Sequence, residues 1–124
     1  MSIIHTSDCP EFFTEERCYI RELLNRPDQP QLSVAQARVA PGITTALHAL
    51  EVEEVYYILH GKGEMERAGV MLGTVKPGDL VRIPAGQSQR ITNTGPEDLV
   101  FLCICTPRFR QEAYRDMEAP LSNE

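Results

Sequence analysis

The chain carries three histidines, and His48 is followed by a cluster of three acidic side chains, at Glu51, Glu53 and Glu54. An imidazole titrates near neutral pH, so His48 reads as a general base, a metal ligand or a ring held by hydrogen bonds. Glu54 is expected to face inward. A carboxyl taken out of water must be paired, coordinated or protonated, because an isolated buried charge is expensive. In the absence of a metal, His48 is its expected ion-pair partner. The two then form a candidate catalytic pair for proton transfer. Glu51 and Glu53 read as a solvated connection.

The other reactive side chains carry weaker signals. His60 precedes Gly61 and reads as a surface residue at a strand end, and His5 lies in an N-terminal arm. Cys103 and Cys105 are two apart, so on a strand they share a face. They read as packed thiols or as a soft-metal pair. Of Tyr56 and Tyr57, one is expected to point inward and lend its hydroxyl to a ligand, with Tyr56 the candidate. Gln36 and Arg38 share one face of a strand. If that face is inward, Arg38 binds a carboxylate or phosphate of a ligand. If it is outward, both are solvent residues. The sequence leaves these two readings open.

These groups have to be positioned by short strands. Residues 32–40 alternate with period two, and residues 55–59 (VYYIL) are rich in β-branched and aromatic side chains. Residues 63–67, 69–75, 80–83, 89–93 and 99–106 continue the series. Turn signals separate them at Pro41-Gly42, Gly61-Lys62-Gly63, Ala68-Gly69, Pro77-Gly78 and Gly95-Pro96. Residues 17–24 are a first strand or an amphipathic segment, and 43–50 can be extended. Many short strands with regular turns predict an all-β sandwich or barrel. Phe109, Ala113 and Met117 recur every four residues and predict one short C-terminal helix over residues 108–117.

The chain is 124 residues long, which predicts a single domain with a core large enough to fold without staples. Within it, residues 1–30 read as an arm with a first strand, 31–107 as the barrel and 108–124 as a short helix and tail. The formal net charge of −6 disfavours nucleic acid and anionic membranes as partners, since both are polyanions. No apolar run approaches the ~20 residues that span a bilayer. Residues 1–10 lack a basic start followed by an apolar stretch, so an export signal is not expected. Four cysteines without such a signal predict reduced thiols and a cytoplasmic protein. In residues 99–104 both alternating faces are apolar. One must be covered by the helix, the arm or a second subunit, and a homodimer is expected.

Two stretches carry a specific spacing. The first runs Pro41-Gly42, five residues, His48, one residue, Leu50, three residues, Glu54, six residues, Gly61. The second runs Gly78, five residues, Pro84, one residue, Gly86, two residues, Gln89, three residues, Asn93. The pair resembles the two motifs of the cupin superfamily. That resemblance implies a jelly-roll β-barrel with a divalent metal, such as Zn, Fe, Mn or Ni, held by three histidines and a glutamate. Leu50 and Gln89 stand where two of those histidines belong. The set implied here is therefore His48, Glu54 and Gln89, with Gln89 as a neutral amide ligand. The phosphomannose isomerases are similar in using a glutamine among their zinc ligands. A facial-triad oxygenase needs two histidines and a carboxylate, so oxygen chemistry is not expected. Arg90 alternates with Gln89 and is expected outside.

Three functions fit. One is a cupin that binds a small molecule in its central pocket, with or without a divalent metal. Another is an isomerase, lyase or cyclase working through His48 and Glu54. The last is a structural or sensory dimer with an inert pocket. The fold hosts all three, so the site must choose among them.

Overall fold

The computed structural model describes residues 2–118. Its strands are β1 (Phe12–Phe13), β2 (Tyr19–Leu24), β3 (Ser33–Val39), β4 (His48–Leu50), β5 (Glu53–His60) and β6 (Gly63–Arg67). They continue with β7 (Val70–Val75), β8 (Leu80–Ile83), β9 (Ser88–Asn93), β10 (Leu99–Thr106) and β11 (Tyr114–Asp116). Two sheets result. The six-stranded one runs β1-β2-β3-β10-β5-β8 and the five-stranded one β11-β4-β9-β6-β7. All pairings are antiparallel.

Period-two patterning sorts the side chains. On β9 the residues Gln89, Ile91 and Asn93 are buried and their neighbours are less so. On β5 the inward set is Glu54, Tyr56 and Ile58. Ile58, Leu99 and Phe101 from one sheet meet Met65 and Ile91 from the other in the core. Each such side chain contributes about 1.5–3 kcal/mol by leaving water.

Backbone crowding explains two glycines. Gly61 has φ +87°, and a Cβ there would lie 2.5 Å from the carbonyl oxygen of Asp98. At Gly63 a Cβ would lie 2.6 Å from the carbonyl oxygen of Thr92. No larger residue fits either place without moving main chain. Asn93 closes the adjoining turn. Its side-chain amide donates to the carbonyls of Val39 and Glu97 at 2.9 and 2.8 Å, and its Oδ1 accepts from the Gly95 amide at 2.9 Å.

Two expectations are corrected. The sheets do not close into a hydrogen-bonded barrel. Among the described residues β8 pairs only with β5, and β7 only with β6, so backbone pairing stops at those two edges. The C-terminal helix over residues 108–117 is replaced by a 3₁₀ turn at Gln111–Ala113 followed by β11. β11 sits antiparallel to β4, with Tyr114 opposite Leu50 and Asp116 opposite His48. A three-residue strand such as β4 needs partners on both sides, and this pairing outweighs a helical pattern resting on three side chains. Strand β1, two residues long, was not anticipated.

Candidate functional site

A cavity of about 450 Å³ opens between the sheets, and His48, Leu50, Glu54 and Tyr56 line it. Gln89 packs against this group, fully buried. The register explains the convergence. His48 on β4 lies directly opposite Gln89 on β9. Glu54 and Tyr56 lie two apart on β5 and so share the inward face.

A hydrogen-bonded chain joins three of these side chains. The Tyr56 hydroxyl donates to Gln89 Oε1, and Gln89 Nε2 donates to Glu54 Oε1 at 2.8 Å. The Cys105 thiol lies 3.8 Å from Glu54 Oε2. Burial raises the Glu54 carboxyl from its ordinary 4.5 to about 7, while the Gln89 bond and the nearby His48 ring pull the other way. A carboxyl in that range is held part-protonated at neutral pH. Burial also pushes the Tyr56 hydroxyl well above its usual value.

His48 is fixed on its other side. Its Nδ1 lies 2.8 Å from the carbonyl of Ala46, which only accepts, so Nδ1 carries a proton. In the neutral ring the lone pair then belongs to Nε2. A carboxylate oxygen of Glu16 stands 3.3 Å from the same Nδ1. The Tyr114 ring stacks on the imidazole at 5.2 Å between centroids, 14° from parallel.

Glu16 was not anticipated, and it overturns the expected pairing of His48 with Glu54. Glu54 bonds to Gln89, and the carboxylate at His48 is Glu16. A tight turn delivers it. The Thr14 amide donates to the Cys18 carbonyl at 2.9 Å, and the Arg17 amide donates to the Thr14 carbonyl at 3.1 Å. Arg17 takes φ +69° to complete the turn. The Ala46 amide then donates to the Glu16 carbonyl at 3.1 Å and ties the turn to the strand leading to His48. No local pattern near Glu16 announces this, because the contact spans the fold. Tyr114 lies in a segment whose four-residue periodicity predicts a helix, so its place beside His48 has no sequence signal.

The open question at Gln36 and Arg38 resolves to the outward face. Neither lines the cavity. Arg38 bonds Glu11 at 2.9 Å and Asp98 at 3.1 Å and lies over the Tyr19 ring at 4.1 Å. Tyr56 takes the inward place and Tyr57 the exposed one. Arg90 faces out and pairs with Glu66 at 2.9 Å. His60 is a surface residue that pairs with Glu97 at 3.3 Å.

The three expected metal donors are together, but one imidazole, one carboxyl and one amide are a poor fit to a resident divalent metal. The Gln89 amide is engaged at both ends. Leu50, at the place of a second histidine, brings a methyl-rich wall. Burial pushes the Cys18 thiol up to about 12 and raises Cys103 and Cys105 well above their usual value, so without a metal all three stay protonated at neutral pH. Among the described residues, no cluster of three His, Cys, Asp or Glu side chains has metal-binding geometry.

Two facing antiparallel sheets, glycine-crowded turns and an inward His–Glu–Gln group define a cupin. The Cupin domain matches residues 35–105, more than half of the chain, and the protein belongs to that family. It is 36% identical over 104 residues to an uncharacterized protein of Methanocaldococcus jannaschii, covering 82% of each chain. It is 39% identical over 71 residues to an oxalate-binding protein of Thermotoga maritima, covering 56% of this chain and 58% of that one. Among solved structures it resembles the polyketide cyclase RemF of Streptomyces resistomycificus, with TM-score 0.80 at 22% identity, over 98% of this chain and 88% of that one. That likeness carries the fold alone. Among the described residues no helix is long and apolar enough to cross a membrane.

Proposed function

We propose that this cupin binds a small organic molecule in the cavity beside His48 and Glu54, without a resident metal. One observation carries the reading: the Tyr56–Gln89–Glu54 chain ends in a buried carboxyl on the wall of a cavity of about 450 Å³. Cavities of ~300–1,000 Å³ with a few convergent polar groups are the usual form of small-molecule sites. Protonated Glu54 offers a hydroxyl donor to a ligand oxygen, and His48 Nε2 offers an acceptor. Isothermal titration against a library of small organic molecules tests this. Compounds whose affinity falls in Glu54→Gln and His48→Ala support it. No binder, or binders indifferent to both changes, overturns it in favour of an inert pocket.

An acid–base enzyme of the isomerase, lyase or cyclase type is the second reading. The part-protonated carboxyl favours it, since Glu54 can give a proton and His48 Nε2 can take one. Turnover whose pH profile is unchanged in Glu54→Gln rules it out.

We also propose a homodimer through the outer face of the six-stranded sheet. There Leu80 lies opposite Tyr57, and Tyr57 opposite Leu102, as an apolar row. Light scattering tests it, and a mass equal to one 13.9 kDa chain overturns it.

A further inference from the structure

The cavity wall has a marked charge pattern. Among the described residues four glutamates line it, Glu15, Glu16, Glu22 and Glu54, and no lysine or arginine does. Glu15 and Glu22 are exposed and so stand at the mouth, while Glu54 lies at the buried end. His48 is the one imidazole among the described lining residues, and its Nδ1 faces the Glu16 carboxylate at 3.3 Å. The remaining wall is mostly apolar, with rings from Phe12, Tyr56, Phe101, Phe109 and Tyr114.

This arrangement is unsuited to a small dianion. Sites that hold carboxylates or phosphates supply guanidinium groups, ammonium groups or rows of free amides. Here an anion would meet like charge in a poorly screened cavity and would also lose its water. An apolar body, by contrast, covers the rings and leaves its polar end to Glu54 and His48. Aromatic faces and carboxylates tolerate a positive charge as well.

We infer that the cavity takes an apolar, ring-sized organic molecule that carries no negative charge, and that it rejects small dicarboxylates such as the oxalate named for the Thermotoga maritima relative. The inference rests on the proposed binding site and adds the chemical class of its ligand. Anion rejection follows from the absence of a basic lining residue, and size selection from the cavity volume. Glu16 then has two roles: it holds His48 and it sets the sign of the wall.

Calorimetric titration with shape-matched probes tests this at pH 7. The series is 2-naphthol (neutral), 2-naphthylmethylamine (ammonium) and 2-naphthoate (anion), with oxalate beside them. The neutral or ammonium probe is expected to bind at least about tenfold more tightly than naphthoate, and oxalate to give no heat at millimolar concentration. In Glu16→Gln the ratio of naphthol affinity to naphthoate affinity is expected to shrink. Naphthoate or oxalate binding as tightly as naphthol overturns the charge inference and leaves the binding site standing. No binding of any probe, together with a library that yields no binder sensitive to Glu54 or His48, overturns both.

Discussion

Gln89 turns its amide nitrogen toward Glu54, donating to Oε1 at 2.8 Å, and gives its oxygen to the Tyr56 hydroxyl. That orientation makes Glu54 an acceptor at one oxygen and leaves burial to decide its protonation. It also commits one lone pair of the Gln89 amide oxygen, the atom by which a glutamine can coordinate a metal, to the Tyr56 hydroxyl.

The Glu54 carboxyl should make stability depend on pH. Its folded value, about 7, lies above the ordinary 4.5. Between those pH values the unfolded chain has released the proton and the folded chain has kept it. Stability therefore falls as pH rises through this window, by about 3 kcal/mol from this group, and levels off above it. Urea titrations from pH 4 to 8 should show the decline in the wild type and a flatter profile in Glu54→Gln. Parallel profiles would show that Glu54 is not the group responsible.

Metal analysis of protein prepared without chelators should give well under one equivalent of any transition metal. Leu50 is buried on the wall of the cavity, two residues from His48 on the same strand face. Leu50→His should therefore create a two-imidazole pair and raise affinity for zinc or nickel by about tenfold or more. Stoichiometric metal in the wild type, lost on His48→Ala, would restore the metal reading.

Removing the Glu16 carboxylate should loosen the wall around His48. The turn's backbone bonds survive the change, so the cost is confined to one charged hydrogen-bonding partner. Glu16→Ala is expected to lose about 1–2 kcal/mol in denaturant unfolding. A loss indistinguishable from zero would mean that the side chain is not held against the ring in solution.

Phe101 reports on the core behind the cavity. It is 2% exposed, and its ring centroid lies 4.5 Å from that of Tyr56. Phe101→Ala should cost about 3–5 kcal/mol, with an unchanged denaturant slope if the sandwich persists. A cost under about 1 kcal/mol would place the ring in a loosely packed region.

Most strands were legible because period-two burial is a local property of sequence. Residues 63–67, 80–83 and 99–106 match β6, β8 and β10 end to end. His48, Glu54 and Gln89 were legible through motif spacing, since the crowded glycine turns fix which strand positions meet. Partners were less legible than positions. Glu16 reaches His48 from a turn 32 residues earlier, and the outward sense of Arg38 depends on Glu11 and Asp98. The C-terminal segment failed for a related reason. Its strand exists only because β4 offers an open edge, and a helical periodicity read from three residues has no knowledge of that edge.

Much of the cavity wall lies outside residues 35–105, the span shared with the family, and the two parts of it that touch His48 are the Glu16 turn and the Tyr114 strand. The Glu16 and Tyr114 side chains are not part of the inter-sheet core, although Cys18 at the end of the turn is. Substitutions in these flanks can therefore retune recognition with little effect on the folding of the sandwich. Divergence of ligand preference among relatives should concentrate there, while the shared span drifts slowly under the constraint of packing.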